Sequence, residues 1–306
     1  SEIERVEIEE PPLFILGHWR SGTTHLHNLL AQDTRQFAFP NTYQVVNPHT
    51  FLCTEEVNTR RFAFLVPKKR LMDNMALSFE APQEDEIAQC LLTLQSLYLG
   101  MSFPRKEDYY ARYLTFHDVS PEEIAEWKAG FTWFLKKLTL KYGRALLLKS
   151  PPHTARIRML LELFPDARFV HIHRNPFEVF QSHQHFFDTA TWYTYLQRPD
   201  VEGIDERIIQ RYRILYDAFF TDQPLIPDGQ FHELSYEELE RNPAHAIRTL
   251  YERLGLEGFD TMEPSLREYL DSISGYQKNA YPDLSPELRD RAAQEWKRSF
   301  EEWGYS

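Results

Sequence analysis

The residues with the clearest potential for chemistry lie in a short loop near the start of the chain. The loop Gly17–Thr24, with the sequence GHWRSGTT, follows the apolar run Leu13–Leu16 and precedes a stretch typical of a helix. In a strand–loop–helix unit, backbone N–H groups and the positive end of the helix converge on an anion. The spacing of Gly17 and Gly22 matches a Walker A loop, but Thr23 stands where the Walker lysine would be. The loop therefore predicts phosphate binding without that lysine.

Two cations follow later apolar runs that we interpret as strands. Lys149 comes after Ala145–Leu148, and Arg174 comes after Arg168–His173. A nucleoside triphosphatase needs a carboxylate at a strand end to hold Mg²⁺, whereas cations there suit an anionic ligand bound without metal. Ser182 follows Arg174 by about two turns of the predicted helix that begins at Pro176, so that both side chains can face one phosphate.

Together these segments resemble the motifs of PAPS-dependent sulfotransferases of the bacterial type, where PAPS is 3′-phosphoadenylyl sulfate. The loop 17–24 resembles the 5′-phosphosulfate loop of that family, and the segment 168–182 resembles its 3′-phosphate motif. Leu148–His153 resembles the lysine-containing loop near the transferred sulfate. Ser235–Leu239 resembles the stretch whose tyrosine packs near the adenine, and Tyr276–Asn279 resembles a segment that closes over the cofactor.

The resemblance implies a site and a reaction. It implies donor contacts from Gly17, Trp19, Arg20, Ser21, Gly22, Thr23, Thr24, Arg174, Ser182, Tyr236 and Lys278. The sulfuryl group of PAPS would pass to a hydroxyl of an acceptor, leaving PAP (adenosine 3′,5′-bisphosphate). By analogy with phosphoryl transfer, the transition state is loose, so that positioning and charge compensation dominate. Arg20 and Lys149 are expected to compensate the charge that develops on the leaving group.

Two residues are candidates for the base that takes the proton of the acceptor. The sequence departs from the family here, since His153 is displaced from the Lys-Thr-His-like stretch of cytosolic relatives and the segment 39–43 lacks the glutamate of others. The acidic cluster Glu80–Glu86 lies at the start of a predicted helix, whose dipole keeps carboxylates ionised. We favour Glu84 and retain His153 as the alternative.

Histidine pairs in the sequence do not predict a metal site. In a helix, residues two apart diverge by about 200°, which separates His25 from His27 and His183 from His185. His171 and His173 can share one face of a strand, but no cysteine or carboxylate stands nearby at ligand spacing. We therefore expect no metal, and the resemblance implies PAPS as donor and PAP as product.

Short apolar runs alternate with amphipathic stretches along the whole chain, which is typical of an α/β fold. We predict one sulfotransferase domain over residues 1–306, with a central parallel sheet flanked by helices in the manner of P-loop proteins. Phe231–Leu234 is a further predicted strand. The longer predicted helices are Thr23–Gln32, Glu84–Leu99, Pro121 to about Lys141 (capped by Ser120), Arg156–Phe164, Ile204–Phe220, Ala244–Leu254 and Pro286–Trp303.

The composition of the chain limits the binding partners and the cellular location that we expect. The formal net charge of −12 argues against nucleic acid as a partner, and no apolar run approaches the roughly 20 residues that cross a bilayer. With only two cysteines and no signal peptide, we expect a reducing, cytoplasmic location. Aromatic clusters at 37–43 and 186–195 favour an apolar or lipid-like alcohol or phenol as acceptor, which is compatible with a peripheral membrane contact.

The same residues would also suit two other functions. A P-loop kinase or phosphotransferase would show dependence on a metal ion. A nucleotide-binding module without catalysis would bind through Arg174 and Ser182 but turn over no alcohol.

Overall fold

The computed structural model describes residues 2–65, 75 and 77–306, and in it five strands form one central sheet. The strands are β1 (Leu13–Leu16), β2 (Phe37–Ala38), β3 (Ala145–Lys149), β4 (Arg168–His173) and β5 (Phe231–Ser235). Their order is β2-β3-β1-β4-β5, and every neighbouring pair is parallel. Leu13 of the central strand lies opposite Leu147 on one side and Arg168 on the other. The carboxyl ends of β1, β3 and β4 therefore meet at one edge of the sheet.

Helices supply the crossovers that parallel neighbours require. In chain order they are α1 (Thr23–Leu30), α2 (Thr42–Val46), α3 (Phe51–Phe62), α4 (Asp85–Thr93), α5 (Tyr98–Ser102), α6 (Glu107–Ala111), α7 (Pro121–Tyr142), α8 (Ile157–Leu163), α9 (Pro176–Thr189), α10 (Ile204–Asp222), α11 (Tyr236–Arg241), α12 (Pro243–Arg253), α13 (Phe259–Ser272), α14 (Pro286–Glu295) and α15 (Lys297–Trp303). None of those in the described part of the chain is both long and apolar enough to cross a membrane.

The sheet is buried on both faces, as a parallel sheet covered by helices should be. Phe14 and Leu16 of β1 join a core that also contains Trp127 of α7. The alternate residues of the same strand, Leu13 and Ile15, join a second core against α1 and α12. Because side chains of a strand alternate between faces, these two layers fix the direction in which β1 enters the loop that follows it.

The predicted α/β fold with a central parallel sheet is confirmed, and all four predicted strands are present. The prediction of one helix over Glu84–Leu99 is wrong. Helix α4 ends at Thr93 because Leu94 adopts a left-handed conformation with φ of 58°, and α5 begins only at Tyr98. The predicted C-terminal helix is likewise divided at Trp296, and the short edge strand β2 was missed.

Candidate active site

The loop between β1 and α1 depends on two glycines. Gly17 and Gly22 have φ values of +147° and +102°, in the region that favours glycine. A Cβ on Gly17 would lie 2.6 Å from the carbonyl oxygen of Ile172 in β4. One on Gly22 would clash with the ring of Tyr236. The loop can therefore pass this close to β4 and to the predicted adenine-contacting tyrosine only without side chains at these two positions.

Hydrogen bonds to other residues of the protein fix the shape of the loop. The N–H of Gly17 donates to Thr154 Oγ1 at 2.8 Å, and the buried Ser21 hydroxyl donates to the carbonyl of His18 at 2.8 Å. In this arrangement the Ser21 hydroxyl shapes the loop rather than facing outward. The indole N–H of Trp19 donates to the phenol oxygen of Tyr98 at 3.2 Å, which ties the loop to α5.

Lys149 and Glu84 meet beside the start of α1. Lys149, at the end of β3, is only 2% exposed, and its Nζ lies 2.7 Å from Glu84 Oε1 and 3.5 Å from Thr24 Oγ1. The Tyr98 hydroxyl donates to the other carboxylate oxygen of Glu84. Burial and the nearby Glu84 carboxylate raise the pKa of Tyr98 well above its usual value, so that the phenol stays protonated as a donor. Glu84 keeps 16% of its side chain exposed.

His153 lies behind this pair rather than beside it. The ring is fully buried and its Nε2 lies 2.6 Å from Asp85 Oδ2, with Phe14 and Phe131 packed around it. Although burial of Asp85 opposes the effect, the His153 ring lowers the pKa of this carboxyl below its usual value. Within the described part of the chain, Glu84 lines the cavity next to the loop, whereas His153 does not.

The next carboxylate along the chain is also buried and paired. Glu86 accepts two hydrogen bonds from the Arg156 guanidinium, at 2.6 and 3.1 Å, and one from Ser96 at 2.6 Å. Three consecutive carboxylates therefore face three basic residues that lie at the end of β3 and in its connection to α8. We call these pairs, Glu84–Lys149, Asp85–His153 and Glu86–Arg156, the acidic ladder.

The predicted 3′-phosphate residues converge next to the loop. The Nε–H of Arg20 donates to Ser182 Oγ at 3.0 Å, and an N–H of Arg174 reaches the carbonyl of Arg20 at 3.4 Å. The Arg174 guanidinium lies 4.4 Å from the centre of the Tyr236 ring, and Lys278 Nζ lies 5.6 Å from it. The structure thus brings these five residues from four separate segments to one place.

Two of these basic side chains, those of Arg174 and Lys278, form ion pairs with carboxylates of the protein. Arg174 forms an ion pair with Glu178 at 2.6 Å, and Lys278 forms one with Glu240 at 2.6 Å. An anionic ligand would have to compete with Glu178 and Glu240. Neither carboxylate was predicted from the sequence, nor was Tyr281, whose hydroxyl lies 2.9 Å from Ser182 Oγ.

A cavity of about 350 Å³ opens next to Glu84. Its wall is mostly apolar, with Ile87, Leu91, Leu99, Met101 and Phe186, and its polar end carries Arg20, Thr23, Thr24 and Glu84. Of the aromatic side chains in the two clusters predicted to form an acceptor pocket, only Phe186 lines the cavity. Trp192 and Tyr193 instead point outward, with 53% and 79% of their surface exposed. Within the described residues, no group of three His, Cys, Asp or Glu could hold a metal ion.

Residues 11–261 match the sequence model of the Sulfotransferase family. The chain belongs to this family. Two curated relatives, the omega-hydroxy-beta-dihydromenaquinone-9 sulfotransferases Stf3 of Mycobacterium bovis and Mycobacterium tuberculosis, are each 39% identical over 298 residues. The match covers 97% of this chain and 76% of each relative. Membership confirms the predicted sulfotransferase activity, with PAPS as donor and PAP as product.

Two solved structures confirm the fold. Sulfotransferase STF9 from Mycobacterium avium superposes with a TM-score of 0.77 at 21% identity, covering 100% of this chain and 79% of that one. Sulfotransferase STF1 from Mycobacterium tuberculosis gives a TM-score of 0.73 at 16% identity, covering 96% and 78%. At these identities the likeness concerns the arrangement of the backbone alone.

Proposed function

We propose that this sulfotransferase acts on the hydroxyl of an apolar, lipid-like alcohol held in the cavity beside Glu84. One observation carries the proposal: the apolar wall ends at a polar group made of Arg20, Thr23, Thr24 and Glu84, the last of which pairs with Lys149. An alcohol whose chain lies along that wall would present its hydroxyl to these groups. The apolar surface provides affinity for a hydrocarbon chain, and the few polar groups fix its orientation.

The residues around the loop suit the donor. Gly17 and Gly22 let the loop lie against β4 and Tyr236, and Thr23 and Thr24 begin α1, whose dipole and first N–H groups favour an anion. Arg174, Ser182, Tyr236 and Lys278 would hold the 3′-phosphate and the adenine. Trp19 and Ser21 would act mainly through the shape of the loop, given their contacts with Tyr98 and His18.

When bound, PAPS supplies the sulfuryl group, and the chain supplies the proton acceptor and the compensating charge. Glu84 takes the proton of the acceptor hydroxyl while that oxygen bonds to sulfur. As the bond from sulfur to the phosphate oxygen breaks, Lys149 and Arg20 compensate the negative charge on the leaving PAP. We assign His153 a positioning role, because it is fully buried against Asp85 and does not line the cavity.

The relative Stf3 supports the class of acceptor. Its name describes sulfation of an omega-hydroxylated dihydromenaquinone, which carries its hydroxyl on an isoprenoid chain. At 39% identity over nearly the whole of this chain, a primary alcohol on an isoprenoid or similar hydrocarbon chain is the acceptor we propose here.

The test is an acceptor screen with PAPS. Purified protein is incubated with PAPS and primary alcohols of increasing chain length, including prenyl alcohols, and the sulfate ester and PAP are quantified by mass spectrometry. We expect kcat/KM to rise with chain length because more apolar surface is buried in the cavity. Turnover of phenols alone, or dependence on a divalent metal with ATP as donor, would contradict the proposal.

Two further points belong to the proposal. We infer that residues 1–306 act as one domain, since both cores pack against the same sheet; limited proteolysis that released a stable fragment would contradict this. The cytoplasmic location stays a prediction, to be tested by cell fractionation.

A further inference from the structure

Large apolar side chains lie exposed around the mouth of the cavity. On the segment that follows α9, Trp192, Tyr193 and Leu196 are exposed by 53%, 79% and 72%. On α4 and just beyond its end, Leu91 and Leu94 are exposed as well. We call these five residues the apolar rim. Exposed apolar groups gathered in one region mark an interaction surface more often than scattered ones do.

The rim continues directly into the wall of the cavity. Thr194 and Leu91 both line the cavity, from the two rim segments. The N–H of Leu196 donates to the carbonyl of Ser102 at 2.8 Å, and Thr194 Oγ1 lies 3.5 Å from the carbonyl oxygen of Met101. Because Met101 and Ser102 also line the cavity, the rim is fixed to the site where we place the acceptor.

The types of residue in and beside the rim suit the surface of a lipid bilayer. Tryptophan and tyrosine prefer the boundary between hydrocarbon and water, and basic side chains beside them reach phosphate headgroups. Arg198 is exposed two residues after Leu196, and the exposed pair Arg105 and Lys106 lies beside it, since the Arg105 N–H donates to Gln197 Oε1 at 3.3 Å. Exposed acidic residues of the same segments are Asp108, Asp188 and Asp200. With both signs of charge present, insertion of the apolar side chains has to provide the affinity, helped by local contacts of the basic groups with headgroups.

We propose that the apolar rim docks on a lipid bilayer, so that the acceptor passes from the membrane into the cavity without crossing water. This rests on the proposed lipid-like acceptor, and it deepens that proposal by naming the surface from which the acceptor is taken.

The experiment measures vesicle binding of the full chain without PAPS or alcohol. Vesicles of phosphatidylcholine, with and without phosphatidylglycerol, are sedimented, and tryptophan emission is recorded. Trp192 is the exposed residue among the six tryptophans, all of which lie in the described part of the chain. We expect binding with a blue shift of the emission. We expect roughly tenfold weaker partition for Tyr193→Ser/Leu196→Ser, which loses two large apolar side chains from the contact.

The matched control is Leu225→Ser. Leu225 is exposed by 43% and precedes β5, at the amino ends of the strands and thus at the edge of the sheet opposite the cavity. It should bind vesicles as the unchanged protein does. Equal loss in both variants would overturn the docking, as would binding of neither vesicle type by the unchanged protein.

Turnover of a short, water-soluble alcohol separates this inference from the proposed function. The rim variant should sulfate such an alcohol normally while losing rate on a prenyl alcohol embedded in vesicles. Equal loss on both alcohols would assign these residues to the cavity itself and overturn the docking. Dimerisation that the rim variant abolishes, without vesicle binding, would identify a second copy as the partner instead. Vesicle binding by a protein that sulfates no alcohol would contradict the proposed function and leave the docking intact.

Discussion

At the scale of single residues, the proposed chemistry depends most on Glu84. Its carboxylate lines the cavity and contacts both Lys149 and Tyr98. Glu84→Gln keeps the size of the side chain and its capacity for hydrogen bonds but removes the proton acceptor. We expect kcat with an aliphatic alcohol to fall by roughly 10²-fold or more, with affinity for PAP nearly unchanged. Initial rates and calorimetry measure the two quantities.

The control for this prediction is Glu80→Gln, the same change at an exposed carboxylate of the acidic cluster. It should leave both quantities unchanged. If Glu84→Gln kept its rate while His153→Ala lost it, the base would be His153 and our placement of the acceptor would have to change.

Arg174 supports a second prediction, on the donor. Loss of a charge-assisted hydrogen bond costs about 1.5–3 kcal/mol, so Arg174→Ala should weaken PAP binding by one to two orders of magnitude. Glu178→Gln removes the internal partner of Arg174 and should tighten PAP binding, because the ligand no longer competes with that carboxylate. Calorimetry and the PAP-induced rise in melting temperature report the change.

Arg158→Ala, at a largely exposed arginine, is the control for loss of one positive charge. An equal loss of PAP binding in that variant would contradict a specific role for Arg174.

At the scale of elements, the break between α4 and α5 explains what the sequence could and could not predict. A continuous helix would place Tyr98 about 21 Å along the axis from Glu84, since each residue rises 1.5 Å. The left-handed Leu94 instead turns the chain back, so that the two side chains touch. No glycine or proline marks this break in the sequence, and the Glu84–Tyr98 contact was therefore missed.

The acidic ladder escaped prediction for a related reason. The apolar runs of β1, β3, β4 and β5 are local patterns and were predicted correctly, as was the place of the loop 17–24 between a strand and a helix. The ladder pairs residues 65 to 70 positions apart, and such pairing depends on how α4 packs against the β3–α8 connection. Sequence spacing identified Glu84 and Lys149 as candidates without indicating that they pair.

The ladder supports a third prediction, on stability. Arg156→Met would leave the fully buried Glu86 without its counter-charge, and breaking a buried ion pair from one side costs about 3–5 kcal/mol. We expect such a loss in the free energy of unfolding, measured with denaturant, and a lower kcat because Glu84 precedes Glu86 by only two residues. The double variant Glu86→Leu/Arg156→Met should recover most of the stability, since no unpaired charge remains. If the single variant were as stable as the unchanged protein, the pair would have no structural role.

At the scale of the whole molecule, buried histidines link stability to pH. His18 and His27 are fully buried, and burial lowers the pKa of each to about 3. His183 is buried as well, and burial lowers its pKa well below the usual value. These rings stay neutral in the folded protein at any pH near neutrality. The same rings in the unfolded chain take up protons below about pH 6.5.

The unfolded state therefore binds more protons than the folded state between about pH 6.5 and pH 3. Stability is complete above pH 6.5 and is lost as the pH falls through that range. One proton corresponds to about 1.4 kcal/mol per pH unit, so His27 alone should lower the free energy of unfolding by about 2 kcal/mol between pH 7.5 and pH 5. Carboxyl groups whose pKa is lowered in the folded protein, such as that of Asp85, add to the loss of stability at lower pH. Above pH 5 the loss of stability comes from the histidines.

His27→Leu isolates this effect, because it replaces the titrating ring by an apolar side chain in a buried site against Phe39. The free energy of unfolding, measured with denaturant, falls between pH 7.5 and pH 5. In His27→Leu this fall should be smaller by about 2 kcal/mol than in the unchanged protein. His117→Leu makes the same replacement at an exposed position and should leave the difference as it was. An unchanged pH dependence in His27→Leu would mean that the buried ring takes up its proton in the folded protein over the same pH range as in the unfolded chain. That would require a counter-charge, and the nearest charged groups that act on His27 are Lys149, which opposes protonation, and Asp85, which is already paired with His153.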